Sequence, residues 1–170
     1  PGFSHTLIPT TSIPTTATYY DNVRVPNEML VGELHGGWKL ITSQLNHERL
    51  GLGTWSDKVV ALFRRVYLWS RARDEQGRRA MDKAWVRSSL AECYARLEAM
   101  RLINMRIAAD LELERMNVAL SSTTKVFGSE SAIEILRKLA AIVGANGSMR
   151  SGSAARLLQG ELAFELRSAP

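Results

Sequence analysis

The sequence predicts a mainly α-helical protein, an antiparallel up-down four-helix bundle that is preceded by a short β segment. Three observations predict this class. Apolar residues recur at alternating intervals of three and four over long stretches, which is typical of a helix face that packs against other helices. Short polar or glycine-containing connections separate these stretches and favour antiparallel neighbours. A segment rich in β-branched residues precedes them all.

The composition is that of an ordinary globular chain, with 45% hydrophobic and 23% charged residues. The 22 basic residues are interleaved with 17 acidic ones, so the contiguous basic face of a nucleic-acid-binding protein is missing from the pattern. The single cysteine, Cys93, allows no internal disulfide, and no stretch has the roughly 18–20 apolar residues of a membrane span. We therefore expect no nucleic-acid partner, no membrane span and a cytoplasmic location.

Residues 1–35 are predicted to form a β segment and linker ahead of the helical domain, residues 36–170. The run Thr15 to Tyr20 is β-branched and aromatic, and residues 23–25 alternate before Pro26, which predicts one or two strands. So short a segment cannot make an independent sheet, so we expect its partner strands to be absent or supplied from elsewhere. The chain begins without an initiator Met, and we expect it to be part of a longer protein.

Four helices are predicted, over residues 38–69, 82–115, 124–143 and 153–167. The third begins after Ser121-Ser122-Thr123, a run typical of helix N-caps, and Gly144 to Gly147 end it. In the second helix Asn104 interrupts an otherwise apolar face, a position that often fixes the register of a bundle.

Glu48 stands out in the first helix because it interrupts an apolar face, here called the α1 stripe. The stripe contains Trp38, Ile41, Leu45, Glu48, Leu52, Trp55, Val59, Leu62, Val66 and Trp69. Burial disfavours the charged form of a carboxylate and raises its pKa, which suits a residue that accepts a proton during catalysis. A buried Glu can also be half of a structural ion pair, with Arg49 or with a basic residue on another helix. The spacing leaves both interpretations open.

Other catalytic patterns are absent from the sequence. His5, His35 and His47 have no second ligand at metal-binding spacing, so no metal site is expected. The densest basic cluster is short and contains two acidic residues, and it suits a phosphate-bearing small ligand. Its basic members are Arg71, Arg73, Arg78 and Arg79.

Several short motifs occur in a specific order along the chain. They are residues 20–26 (Tyr-Asp-Asn-Val-Arg-Val-Pro), 30–33, 36–38, 45–50 (Leu-Asn-His-Glu-Arg-Leu), Arg73 with Gly77, 90–92, 125–130 and 144–147. Together they resemble the acyl-CoA dehydrogenase family. The resemblance implies that residues 1–35 end the family's middle β domain and that residues 36–170 form most of its C-terminal four-helix domain.

The same resemblance implies FAD-dependent dehydrogenation of an acyl-CoA thioester. Some members carry the catalytic base in a Glu-Arg-Leu run on the first helix of this domain, which here is Glu48-Arg49-Leu50. Leu45 and Arg49, beside that base, are then expected to contact the substrate. The family's FAD-binding positions fall on Arg73, Gln76, Gly144, Ala145 and Gly147, with Arg73 reaching the pyrophosphate of a neighbouring subunit's flavin.

The resemblance further implies an oligomer, a tetramer or dimer of one or two kinds of chain, and an electron-transfer acceptor protein. This sequence departs from the family in having Gln76 where many members have Phe, Ala84 and Ala141 where many have Gln, and Ala145 where Gly is usual. The alternative to a catalytic chain is therefore a non-catalytic partner subunit or helical oligomerisation module. A helical scaffold unrelated to flavin is a third reading. We expect the fragment alone to be inactive.

Overall fold

The structure is a computed structural model that describes residues 2–10, 14–113, 115, 117–149 and 160–168. It contains two strands, β1 (Phe3–Ile8) and β2 (Thr15–Tyr20), and four α-helices, α1 (Gly37–Arg71), α2 (Ala84–Glu112), α3 (Val118–Val143) and α4 (Glu161–Ser168). Short 3-10 turns occupy Asn27–Met29, Ala80–Asp82 and Gly144–Ser148. The predicted fold class is confirmed. The chain divides into two compact units, residues 1–45 and 46–170.

The first unit contains a β-hairpin whose first strand the sequence did not reveal. β1 and β2 pair antiparallel, with Phe3 opposite Tyr20 and Ile8 opposite Thr15. The expectation that β2 lacks a partner in this chain was therefore wrong. Nearly all residues of both strands are exposed. Because β1 has no buried face, its sequence carries no clear period of two that would identify it as a strand. Residues 23–25 are not a strand.

The second unit is a helical bundle around one apolar core. Lys58 pairs with Glu165 and Arg65 with Glu161, so α1 and α4 run in opposite directions. Glu92 of α2 pairs with Lys138 of α3. The buried core is formed by Val59, Leu62, Val66, Val86, Leu90, Cys93, Leu97, Ala132, Ile135, Leu136, Leu139, Ile142, Val143 and Leu162.

The predicted apolar face of α2 is confirmed, because the residues at 86, 90, 93, 97, 100 and 107 are all buried. The α1 stripe is buried only in part. Its C-terminal members Val59, Leu62 and Val66 lie in the core. Trp38 and Leu45, by contrast, are 80% and 44% exposed. The prediction of a buried stripe along the whole helix was wrong for its N-terminal end, because no described element covers that end.

Helix α3 begins earlier than predicted, and its N-cap is Asn117. The side chain of Asn117 accepts a hydrogen bond from the backbone N of Leu120 at 3.1 Å. Ser121 and Thr123 instead donate from their hydroxyls to carbonyls four residues earlier, within the helix. Hydroxyl residues near a helix start are ambiguous for this reason. The predicted start of the fourth helix at Ser153 lies outside the described residues.

Candidate functional site

A cleft of about 530 Å³ lies where α1 ends, α2 begins and α3 ends. The chain reverses between α1 and α2, and α2 packs against α3, so the loop of residues 72–79 lies beside the end of α3. We call this the cationic cleft. Its lining includes Trp69, Arg73, Asp74, Arg78, Arg79, Lys83, Trp85, Ala141 and Gly144.

The cationic cleft has a surplus of positive charge, with three arginines and one lysine against a single carboxylate in its lining. Arg78 is paired with Asp74 at 3.1 Å, and Arg79 is paired with Asp82 at 3.5 Å. Within the described part of the chain, Arg73 and Lys83 have no carboxylate partner, and both are exposed. An uncompensated pair of cations in a cleft suits a phosphate or another anionic group.

A hydrogen-bonded turn shapes the wall of the cleft that carries Arg73. Asp74 Oδ1 accepts from the backbone N of Gln76 at 3.0 Å and from that of Arg78 at 2.8 Å. The Arg78 backbone N–H is the main cause that lowers the pKa of Asp74, and its guanidinium lowers it further. Gly77 closes the turn with a φ of +74°, a conformation that favours glycine.

Two predicted FAD-binding residues lie in this turn, but their side chains differ in direction. Arg73 lines the cleft, and its Nη1 donates to the carbonyl of Gly77 at 2.6 Å. Gln76 accepts at Oε1 from Arg78 Nη2 at 3.0 Å and is not part of the cleft lining.

The predicted glycine segment after α3 contributes one residue to the cleft. Gly144 lines it, has a φ of +75° and has open space beside its α-carbon. Ala145 is exposed and outside the lining. Gly147 is buried, and a Cβ there would lie 3.0 Å from Val143 and 3.4 Å from Leu162. The structure thus brings Arg73 and Gly144 together, whereas Gly147 serves the packing of the turn.

Glu48 is exposed in this chain, so the predicted burial of its carboxylate was wrong. Its α1-stripe neighbours Ile41 and Leu45 are 41% and 44% exposed, so nothing described removes water from this face. Glu48 makes no ion pair with any side chain that the structure describes, so a pair with a described basic residue on another helix has no support. The side chain of Arg49 lies outside the described part.

Glu48 and the cationic cleft are far apart. Trp69, which lines the cleft, follows Glu48 by 21 helical residues, or about 31 Å at 1.5 Å per residue. A single compact group cannot contact both regions, and each must be considered as a separate site.

Sequence reasoning missed two residues of the cleft, Lys83 and Trp85. Lys83 extends the arginine cluster across the turn into α2, and Trp85, 49% exposed, adds an aromatic surface. The basic cluster was a usable signal for Lys83, but nothing in the sequence separated Trp85 from a core residue. Among the described residues, no cluster of His, Cys, Asp and Glu could hold a metal ion. No described helix has the length and apolarity to cross a bilayer.

Known proteins are similar in sequence to most of this chain. FadE26, an acyl-CoA dehydrogenase of Mycobacterium tuberculosis, is 39% identical over 166 residues, which is 95% of this chain and 41% of that protein. FadE29 of the same organism is 36% identical and covers 94% of the chain and 41% of its own length. The chain therefore spans about two fifths of the length of these curated relatives.

Solved structures agree in fold. The Tcur3481-Tcur3483 steroid ACAD has a TM-score of 0.88 at 41% identity, covering 99% of this chain and 43% of that one. The ChsE4-ChsE5 complex from Mycobacterium tuberculosis has a TM-score of 0.86 at 37% identity, covering 99% and 44%. A family model described as "Acyl-CoA dehydrogenase, C-terminal domain" matches residues 35–166. With that match over most of its length, the chain belongs to the acyl-CoA dehydrogenase family.

Proposed function

We propose that this chain is the C-terminal part of a flavin-dependent acyl-CoA dehydrogenase, which forms a double bond between the α- and β-carbons of an acyl-CoA thioester. The observation that carries the proposal is the cationic cleft. Arg73 and Gly144 come from distant parts of the sequence, match the family's cofactor motifs, and line one cleft. Family membership supports the same assignment.

The residues of the cleft fit the pyrophosphate of FAD. Arg73 offers a guanidinium that can donate two parallel hydrogen bonds to phosphate oxygens, and Lys83 adds a second cation that has no carboxylate partner among the described residues. Gly144 presents backbone without a side chain, so a ligand can approach closely. FAD, when bound, accepts the hydride that leaves the β-carbon.

In this proposal Glu48 is the base that removes the α-proton, and Leu45 and Arg49 contact the substrate. A proton next to a thioester is weakly acidic, so its base must be shielded from water. Trp38, Ile41 and Leu45 support that requirement, because they leave an apolar surface exposed on the same stripe. Exposed apolar surface of this kind marks a face that another domain or subunit covers.

The separation of about 31 Å between Glu48 and the cleft supports an oligomer. We propose that the Glu48 of one chain and the cleft of the same chain serve different flavins, so each complete site takes two subunits. Two similar structures are named as pairs of chains, which supports a mixed assembly, and the name of one makes steroid-derived acyl-CoA thioesters the first substrates to test.

The second candidate is a non-catalytic partner subunit. The exposure of Glu48 favours it, as does Ala141, which lines the cleft where many family members have a Gln amide. In that case the chain stabilises an assembly whose working site lies on its partner.

The test uses the complete reading frame that contains this chain, expressed alone and together with a second acyl-CoA dehydrogenase chain. Bound flavin is measured from the visible spectrum, and turnover is measured with acyl-CoA thioesters. Glu48→Gln should lower turnover by about 10²–10⁴-fold and leave flavin content unchanged. Glu112→Gln, at an exposed position of α2 outside the family motifs, is the matched control. Full activity of the Glu48→Gln protein would overturn the role of Glu48, and a flavin-free complete protein would favour the partner subunit.

A further inference from the structure

We infer that Asp74 is a positioning residue of the cationic cleft, whose carboxylate fixes the turn that holds Arg73 ready for a phosphate group. The inference rests on the proposed function and adds a residue to it. Position 74 lies between motif residues Arg73 and Gly77, and neither the resemblance nor the comparisons give it a role.

Asp74 closes the turn from both its backbone and its side chain. Its N–H donates to the carbonyl of Arg78 at 2.8 Å, and its carbonyl accepts from the N–H of Gly77 at 2.9 Å. Oδ1 accepts from the N–H groups of Gln76 and Arg78, and Oδ2 accepts from Arg78 Nε at 3.1 Å. Two backbone N–H groups of a five-residue turn therefore depend on one carboxylate oxygen.

The turn also restrains the side chain of Arg73. Arg73 Nη1 donates to the carbonyl of Gly77 at 2.6 Å. The position of that carbonyl group depends on the φ of +74° at Gly77 and on the hydrogen bond from Gly77 N–H to Asp74. A long exposed side chain loses conformational entropy when a ligand orders it, and a side chain that is already restrained loses less.

The sign of the Asp74 charge allows a positioning role to be distinguished from a purely electrostatic one. It is the one carboxylate among the described lining residues of a cleft proposed for an anion, and a negative charge there opposes anion binding. A residue that acts only through its charge would improve binding when removed. A residue that positions Arg73 would weaken binding when removed, although the cleft becomes more positive.

Two substitutions with the same change in charge separate these effects. Asp74→Asn keeps an Oδ1 acceptor for the two backbone N–H groups, and Asp74→Ala does not. In the complete protein, stripped of flavin and titrated with FAD, we expect Asp74→Asn to bind within about threefold of wild type. Asp74→Ala should bind at least about tenfold more weakly, the effect of one lost hydrogen bond. Equal or tighter binding by Asp74→Ala would overturn the inference.

The effect must also pass through Arg73. In an Arg73→Ala background, Asp74→Ala should cause no further loss of FAD affinity, since the side chain that it positions is gone. An equal loss in both backgrounds would show a general structural role and overturn the inference.

If Asp74→Ala does not fold, Gly77→Ala tests the same contact, because it disfavours the φ on which the position of the Gly77 carbonyl beside Arg73 depends. It should weaken FAD binding only where Arg73 is present. Wild-type protein that binds no FAD in this titration would overturn the proposed function itself, whereas normal wild-type binding with unchanged variants would overturn only the role of Asp74.

Discussion

The two ends of the α1 stripe have the same spacing and opposite environments. At the C-terminal end, Val59, Leu62 and Val66 are at most 2% exposed. At the N-terminal end, Trp38 is 80% exposed and Glu48 is exposed as well. Helical periodicity identifies an apolar face, but the cover over that face comes from other elements. The position of a glutamate on the stripe therefore does not predict its burial unless another element packs over it.

The largest effect is expected when a glutamate is placed at the buried, C-terminal end of the α1 stripe. Val66→Glu should lower the free energy of unfolding by about 3–4 kcal/mol at neutral pH, because a fully buried carboxyl stays protonated there and this costs about 1.4 kcal/mol for each pH unit above its ordinary pKa. Glu48→Val, the reverse change at the uncovered end of the isolated chain, should alter it by less than about 0.5 kcal/mol. Urea unfolding followed by circular dichroism measures both. Similar effects at the two positions would show that the two ends do not differ.

A second pair of substitutions sharpens the comparison without introducing charge. Leu62→Ala should lower the free energy of unfolding by about 2–5 kcal/mol, because Leu62 is 2% exposed in the core. Leu68→Ala makes the same change on the same helix at a position that is 63% exposed, and should cost less than about 0.5 kcal/mol. Equal losses measured by urea denaturation would contradict the burial pattern of α1.

The burial of a helix face could be predicted where neighbours within the chain cover it. The buried face of α2 has the predicted spacing because α1 and α3 pack on it. Leu90, Cys93 and Leu97 are buried as expected. β1 was not predicted from the sequence because it has no buried face. The burial of the N-terminal end of α1 was predicted wrongly for the complementary reason, since that end has the apolar spacing but no described element packs on it.

The candidate site was predictable only in part. Arg73 and Gly144 were found through resemblance to family motifs, and the structure adds that they share a cleft. The roles of Asp74, Lys83 and Trp85 depend on how the α1–α2 turn meets the end of α3. Periodicity within single helices carries no information on such a meeting.

A smaller effect is expected from the N-cap of α3, which is a local contact of the second unit. Asn117→Ala removes the acceptor for the backbone N–H of Leu120 at the start of α3 and should cost about 1 kcal/mol of unfolding free energy. Asn117→Ser should retain most of the stability, since serine also caps helices. If Asn117→Ala has no effect and removal of the Ser121 hydroxyl does, the cap lies where the sequence first suggested.

The smallest effect concerns the ion pair between α2 and α3, in which Lys138 Nζ lies 3.0 Å from Glu92 Oε2. The Lys138 hydrogen bond is the main cause that lowers the pKa of Glu92, and Glu92 in turn raises the pKa of Lys138. A lowered carboxyl pKa stabilises the fold above the ordinary value of 4.5, and this contribution is lost as the pH falls through the lowered value. A raised lysine pKa stabilises it below the ordinary value of 10.5, and this contribution is lost as the pH rises through the raised value.

The pair should therefore contribute fully between those two ordinary values and fade at both extremes. The stability difference between wild type and Lys138→Met, measured by urea unfolding across the pH range, should form a plateau that declines at each end. It should be smaller than the effect of Asn117→Ala, because solvent screens a partly exposed pair. Lys125→Met, at an exposed position on the same helix, is the control and should give a flat difference. A flat difference for Lys138→Met as well would mean that the pair adds nothing to the stability of the second unit, which would then come from its apolar core and helix caps.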